Sequence, residues 1–259
     1  MSLGRRKVAL ADASGWVFNR MVDAYGARPP YPSALVHALG LAAGKPNARI
    51  ADIGAGIGHL ALPLCELGFE VLAVEPAEQM LEQLRRLAAA RTLSLATFHA
   101  TAEALPIASG SVDLVLIADA LHFLDAELAS SEVRRVLAKR GALAVVTSEF
   151  APTPFMQALS RLMDEAAPRR ARAVAPALAQ LAALSRVRLG QRQTFGDSAP
   201  VDALTLERIL RSISFIGPAM TPQRFSAFFQ RVLAIPYPAV WARSFALHSG
   251  RRGGRRAHG

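Results

Sequence analysis

Apolar residues in this chain of 259 residues fall into short runs separated by longer stretches of helical spacing. Runs near 49–53, 70–75, 93–98, 112–118 and 142–149, rich in Ile, Val, Leu and Ala, read as buried strands. Between them, 57–68, 77–91 and 121–138 repeat apolar residues at the helical period. Strands alternating with helices of this length predict a parallel, doubly wound α/β sheet. Upstream, residues 14–44 read as a helical preamble broken by Pro29-Pro30-Tyr31-Pro32, with Ser33 as N-cap of the next helix. After Glu149 the pattern changes. Two short helices, within 151–168 and 177–186, lead to a candidate strand at 186–195. Helices near 202–213 and 221–234 and a last strand over about 239–248 follow. With no repeat and no low-complexity linker, the chain reads as one domain. Its parts are a helical lid segment (1–47), a core (48–150), a helical cap (151–235), a last strand (236–250) and a basic tail (251–259).

The stretch 48–76, ARIADIGAGIGHLALPLCELGFEVLAVEP, combines strand, glycine loop, helix and strand, with Glu75-Pro76 at its end. Glycine lets a chain turn sharply and lets a ligand rest on bare backbone. A loop that opens a helix also presents free N–H groups and the positive end of the helix dipole. Glu75, ionised, can accept a hydrogen bond from each of two neighbouring hydroxyls, which suits a ribose. The dinucleotide fingerprint needs glycine or alanine at its sixth position, and counting from Gly54 that position holds His59. What stands here is D-x-G-x-G-x-G, from Asp52 through Gly54, Ala55 and Gly56 to Gly58, with an acid 17 residues after the last glycine.

That motif resembles the first motif of the class I S-adenosylmethionine-dependent methyltransferases. The resemblance covers nearly the whole chain, from about Phe18 to His248. FNRMVDAYGARPPYP is similar to the opening of bacterial small-molecule methyltransferases, relatives of the trans-aconitate and ubiquinone/menaquinone methyltransferase-like group. It implies that Tyr25, Arg28 and Tyr31 lie near the methionine carboxylate or the substrate. Residues 100–125 resemble the adenine loop and fourth strand, with Ala102 offering its N–H to the ring, Thr101 in place of the usual aspartate, and Glu103 capping the following turn. Met80 follows the ribose acid, as an adenine contact or as packing. Lys139-Arg140 replaces a common Pro-Gly turn. Residues 205–220 resemble a segment that closes over substrate, with Arg211, Ser212 and Phe215 as lining. The implied fold is a mainly parallel, seven-stranded Rossmann-like sheet with a helical cap after the fifth strand. S-adenosylmethionine is the implied cofactor and S-adenosylhomocysteine its product.

Charge alters this picture little once it is divided along the chain. The net +10 comes from +4 over 1–47, −5 over 48–150 and +11 over 151–259, so the core is acidic. Much of the excess sits in GRRK (4–7) and RRGGRRAHG (251–259), with seven more arginines from Arg161 to Arg192. No aromatic–basic interleaving of the single-strand-binding kind is present, which argues against nucleic acid as partner. An arginine-lined pocket for an acidic substrate stays open beside plain solvated faces. No apolar run reaches the ~18 residues that cross a bilayer. No apolar signal region follows the first basic residues, and Cys65 stands alone, so a cytoplasmic protein without disulfide or metal cluster is expected. A monomer or homodimer is expected.

Methyl transfer from a sulfonium needs alignment and exclusion of water more than it needs acid–base help. Where a base is required, His122 is the candidate, beside the reading of a helix-start residue packing on Phe123. Asp119 and Glu149, at strand ends, position an amine or hydroxyl, cap helices or stay solvated, and Asp119 is also counted with the cofactor-binding residues. The expected activity is methyl transfer to an O or N atom of a small-molecule metabolite, in secondary metabolism. Alternatives are C-methylation of a quinone-like ring, an RNA or protein methyltransferase, and a nucleoside-binding module without catalysis; a nicotinamide-dependent reductase ranks last, given His59.

Overall fold

A computed structural model of the chain describes residues 17–167 and 174–253. The GRRK stretch, Arg169, Arg170, Arg172 and residues 254–259 of the tail, including His258, lie outside the described residues.

The expected alternation is present. The chain opens on a short 3-10 turn (Val17–Arg20), then α1 (Val22–Tyr25) and α2 (Ser33–Ala43). Strands β1 (Arg49–Ile53), β2 (Glu70–Val74), β3 (Ala96–Phe98), β4 (Val112–Ala118) and β5 (Leu137–Phe150) pair in parallel. Helices α3 (Ala61–Glu66), α4 (Glu78–Ala90) and α5 (Ala126–Val136) connect them. The second half adds α6 (Pro154–Ala166), α7 (Val174–Leu184), β6 (Val187–Leu189), β7 (Gln193–Pro200), α8 (Ala203–Arg211), α9 (Pro222–Leu233) and β8 (Val240–Arg252). The sheet order is β3-β2-β1-β4-β5-β8-β6, with β8 antiparallel to β5 and β7 also paired to β8.

The central strands bury both faces, so alternate residues enter opposite cores. Ile50, Leu114, Leu116, Ala144 and Val146 pack with residues of α2, α3 and α4. Ala51, Ile53, Val115, Ile117, Leu143 and Val145 pack with α5 and α7. Burying each larger aliphatic side chain is worth about 1.5–3 kcal/mol, which is why these runs are nearly unbroken in apolar residues. A third core, built from Phe155, Met163, Leu206, Ile209, Phe225 and Trp241, joins α6, α8 and α9 to the start of β8.

Several boundaries differ from expectation. The sheet has eight strands rather than seven. The strand expected at 186–195 is two pieces on successive stretches of one edge of β8, broken at Gly190–Arg192. The Gly190 N–H donates to Ser249 O there (2.8 Å), so the edge kinks without losing its partner. The last strand runs on to Arg252, drawing in two residues read as tail. Ser33 does not cap α2: Pro32 holds that place and Ser33 is the first helical residue. The 121–138 helix divides into a 3-10 turn (Leu121–Phe123) and α5, which Asp125 caps by accepting from the N–H groups of Glu127 and Leu128. No separate turn forms at Lys139-Arg140. The chain passes straight into β5, with an irregular register that pairs Val112 with Leu137 and Leu114 with Ala142. Thr153, Asp202 and Thr221 cap α6, α8 and α9 through side-chain oxygens, as residue type predicts.

Candidate active site

In an open α/β sheet, ligands bind beyond the carboxyl ends of the strands where the strand order reverses, here between β1 and β4. A cleft of about 1040 Å³, open to solvent, lies at that point.

The glycine loop forms its floor. Gly54 and Ala55 donate their N–H groups to Val74 O (2.8 and 3.1 Å), which binds the loop to the end of β2. Gly54 and Gly58 have φ of +74° and +91°. A Cβ on Gly54 would stand 2.8 Å from the Ala120 Cβ, and one on Gly58 would stand 2.2 Å from Leu84 Cδ1. Glycine is therefore required by both backbone conformation and close approach.

Glu75 is 6% exposed. Its Oε2 accepts from the Gly56 N–H and its Oε1 from the Ala77 N–H, both at 2.8 Å. Each oxygen keeps a second lone pair, and the residue lines the cleft. Burial raises its pKa, and the two N–H donors oppose that rise. Asp52, 2% exposed, is pushed up to about 7, by burial first and then by the charge of Glu75; the Ala61 N–H acts the other way. Both acids line the cleft with Gly54, Ala55, Gly56, Pro76 and Met80. Gly58 lies beneath the loop, packed on Leu62 and Leu84. Ala100, Thr101, Ala102 and Glu103 form the wall beyond β3. Glu103 accepts the Asp125 N–H at 2.9 Å and so ties this wall to the start of α5.

The opposite end, beyond β4 and β5, is built around Asp119. Its φ is +51°, a left-handed conformation that Asp tolerates better than most residues. That turn aims the carboxylate sideways. Oδ1 accepts from the Ser148 N–H (2.7 Å), and Oδ2 accepts from Ser148 Oγ (2.7 Å) and Tyr31 OH (3.1 Å). Burial, then the Asp119 charge, hold the Tyr31 phenol well above its ordinary pKa. Phe18, Phe123 and Leu124 also line the cleft, with the two phenylalanine rings edge to face at 5.3 Å and Phe18 packed beside Ala77 and Met80.

The N-terminal segment crosses the cleft as a strap. Tyr25 stacks on His59 (5.6 Å between centroids) and reaches the cleft wall. Burial, then the charges of Arg28, Arg243 and Arg91, lower the His59 pKa to about 4. Arg28 turns away from the cleft: Nε donates to Ser212 Oγ (2.8 Å) and Nη2 to Ser212 O (2.5 Å), and its guanidinium lies over Tyr25. Arg208 holds the Asp23 carbonyl and Arg243 the Pro30 carbonyl (3.2 and 2.7 Å). Arg28 thus clasps strap to cap, where the sequence reading had it clamping a carboxylate.

Of Tyr31, Glu149, Arg211, Ser212 and Phe215, Tyr31 alone lines the cleft, beside Tyr25 and Asp119. Ser212 is fully buried beneath Arg28. Arg211 pairs with Glu207 and covers the Phe225 ring. Phe215 joins the cap core, and Glu149 is exposed on β5 opposite Ser244. His122 is not among the lining residues; its ring lies 3.9 Å from that of Phe123. Sequence reasoning missed Phe18, Phe123, Leu124 and Ser148. Strand alternation alone could have exchanged Glu149 for Ser148, had the irregular register of β5 been visible.

Among the described residues, no group of three or more His, Cys, Asp or Glu could hold a metal ion. No helix among them is long and apolar enough to cross a membrane.

A methyltransferase-domain family profile matches residues 51–145. An uncharacterized methyltransferase of Mycobacterium tuberculosis is 40% identical over 147 residues, covering 56% of this chain and 55% of that protein. A demethylmenaquinone methyltransferase of Thermus thermophilus is 43% identical over 120 residues, covering 45% and 54%. The match thus spans about half the length of these curated relatives. The solved YcgJ protein of Bacillus subtilis superposes with a TM-score of 0.56 over 84% of this chain and 99% of its own, at 23% identity. A geranyl diphosphate C-methyltransferase of Streptomyces coelicolor, solved with S-adenosyl-L-homocysteine, reaches 0.56 over 97% and 100%, at 13% identity. With the glycine loop and the acid after β2 both inside the matched stretch, residues 51–145 match the methyltransferase-domain family, and the chain is similar to proteins named methyltransferase over about half of their length.

Proposed function

We propose that the protein transfers a methyl group from S-adenosylmethionine to an O or N atom of a small-molecule metabolite. The observation that carries this is Glu75: a buried carboxylate, oriented by two backbone N–H groups, beside a loop whose Gly54 and Gly56 line the cleft. The cofactor supplies an activated methyl on a sulfonium. Glu75 takes the ribose hydroxyls, and the loop from Asp52 to Gly58 underlies the methionine arm. Ala102, with Thr101, Glu103, Pro76 and Met80, borders the adenine. Tyr25 covers the bound ligand from the strap, and Asp119 faces the acceptor end. The strap and cap exclude water, and fixing donor and acceptor in line supplies several kcal/mol of the barrier reduction. We read residues 1–47 as lid, 48–150 as cofactor core and 151–235 as cap of one domain.

C-methylation of a quinone-like ring is the second reading. The apolar lining of Phe18, Phe123 and Leu124 favours it, as do a relative named for demethylmenaquinone and a structural neighbour named for C-methylation. Product analysis after transfer of a labelled methyl separates the two.

Calorimetric titration with S-adenosylhomocysteine, beside NADH, tests the cofactor. Binding near ~1–10 μM for the first alone is expected, weakened about tenfold in Glu75→Gln by loss of a charged hydrogen-bond acceptor. No binding of S-adenosylhomocysteine overturns the reading.

A further inference from the structure

The cleft carries charge of one sign. Among the described residues that line it, Asp52, Glu75, Glu103 and Asp119 bear carboxylates and none is lysine or arginine. The nearby guanidinium groups are committed elsewhere: Arg28 to Ser212, Arg211 to Glu207 and Phe225, and Arg243 to Asp197 and the Pro30 carbonyl. The pocket is thus unlike one built for a carboxylate or phosphate, which arginine forks recognise.

Asp119 marks the acceptor end. Its partners, Ser148 on β5 and Tyr31 on the strap, lie on the side of the switch point away from Glu75 and β3. A carboxylate has about four acceptor positions. Ser148 N–H, Ser148 Oγ and Tyr31 OH fill three, and one on Oδ1 remains. Phe18, Tyr31 and Phe123 also line the cleft and supply an apolar, aromatic surface in place of a second charge.

Resting on the methyl-transfer reading above, we propose that the acceptor is an amine on an apolar body, and that Asp119 selects it by taking its N–H. An ammonium acceptor first releases one proton to water. The nitrogen lone pair then forms the N–C bond, the C–S bond breaks, and its electron pair returns to sulfur. Positive charge passes from sulfur to nitrogen, and the surplus proton leaves the product to water. A fixed carboxylate beside the nitrogen stabilises that charge as it develops. A phenolate or carboxylate nucleophile would enter beside Asp119 with no lysine or arginine lining the cleft to pair with it.

The test uses the full chain saturated with S-adenosylhomocysteine and three probes sharing one apolar body: phenethylamine, 2-phenylethanol and 3-phenylpropionate. Their affinities are measured by titration on wild type and Asp119→Asn. Asparagine also tolerates the left-handed backbone at this position. The expected result is phenethylamine binding at least about tenfold tighter than 3-phenylpropionate. In D119N that preference falls to within about threefold, with S-adenosylhomocysteine affinity within about twofold of wild type. Should D119N lose S-adenosylhomocysteine affinity, Ser148→Ala replaces it: the carboxylate remains, so the amine preference persists. Equal or tighter binding of the carboxylate, persistence of the preference in a well-behaved D119N, or no binding of any probe overturns the amine proposal. Wild-type protein that fails to bind S-adenosylhomocysteine overturns the methyl-transfer reading itself.

Discussion

Replacing Gly58 by alanine separates the two roles that glycine has in the loop. An added Cβ would stand 2.2 Å from Leu84 Cδ1 and 3.0 Å from Leu62 Cγ, where φ is +91°. Leu84 is 0% exposed and Leu62 2%, so neither side chain has space to swing into. Overpacking of this kind costs about 1–3 kcal/mol. Left-handed backbone adds about 1–2 kcal/mol for a residue with a Cβ. Gly58→Ala should therefore lose roughly 2–5 kcal/mol, and at about 2–4 °C per kcal/mol its Tm should fall by roughly 4–20 °C. Gly56 is the control. Its φ is +55° and a Cβ would meet only Tyr25 Cε1, at 3.7 Å. Gly56→Ala should lose about 1 kcal/mol of stability, yet weaken S-adenosylhomocysteine binding at least about tenfold, because its methyl enters the ligand's space. Urea unfolding and calorimetry on both variants decide the matter. In Leu84→Ala, which alone costs about 2–5 kcal/mol, the added methyl of Gly58→Ala should be accommodated, with a favourable coupling of about 1 kcal/mol or more. Gly58→Ala no more destabilising than Gly56→Ala, or purely additive with Leu84→Ala, would refute the packing argument.

Three further predictions concern the strap and the buried acids. Arg28→Ala breaks two charged hydrogen bonds to Ser212; each is worth about 1.5–3 kcal/mol, and limited proteolysis should cut between residues 17 and 32 faster while the sheet stays intact. Asp52 titrates near 7 in the fold against an ordinary 3.8, so the folded state holds its proton more tightly; its contribution to stability is full below about pH 4 and falls as pH rises to about 7. Asp52→Asn should remove that decline, visible as a flatter or rising urea midpoint from pH 4 to 7. His59 acts in the opposite sense: lowered from 6.5 to about 4, it favours the folded state above pH 6.5 and that contribution is lost as pH falls toward 4. The two slopes oppose each other in wild type, so His59→Gln should leave a protein whose midpoint falls with pH over the same interval, and a midpoint unchanged in slope by either variant would refute the assignment.

Much of the cofactor half was legible from residue order. Asp52, the glycines and Glu75 occupy one strand–loop–helix–strand unit, so their juxtaposition is local and follows from backbone chemistry. The half built around Asp119 was not. Asp119, Ser148 and Tyr31 are 29 and 88 positions apart, and they meet only through the pairing of β4 with β5 and the passage of the strap. Arg28 and Arg211 offered guanidinium groups at plausible places in the chain. Glu207 takes Arg211 as an i,i+4 neighbour on α8, a pairing that spacing does encode, whereas Ser212 meets Arg28 across 184 positions, which spacing does not.

By itself the sequence determined the doubly wound class, the loop and the acid after β2, because helical and strand periods and glycine's freedom act over a few residues. Only the tertiary structure decided the eighth strand, the strap's clasp and the sign of charge in the cleft. Those depend on β5 register, on where β8 runs and on which partner each arginine meets, all set by contacts between distant segments.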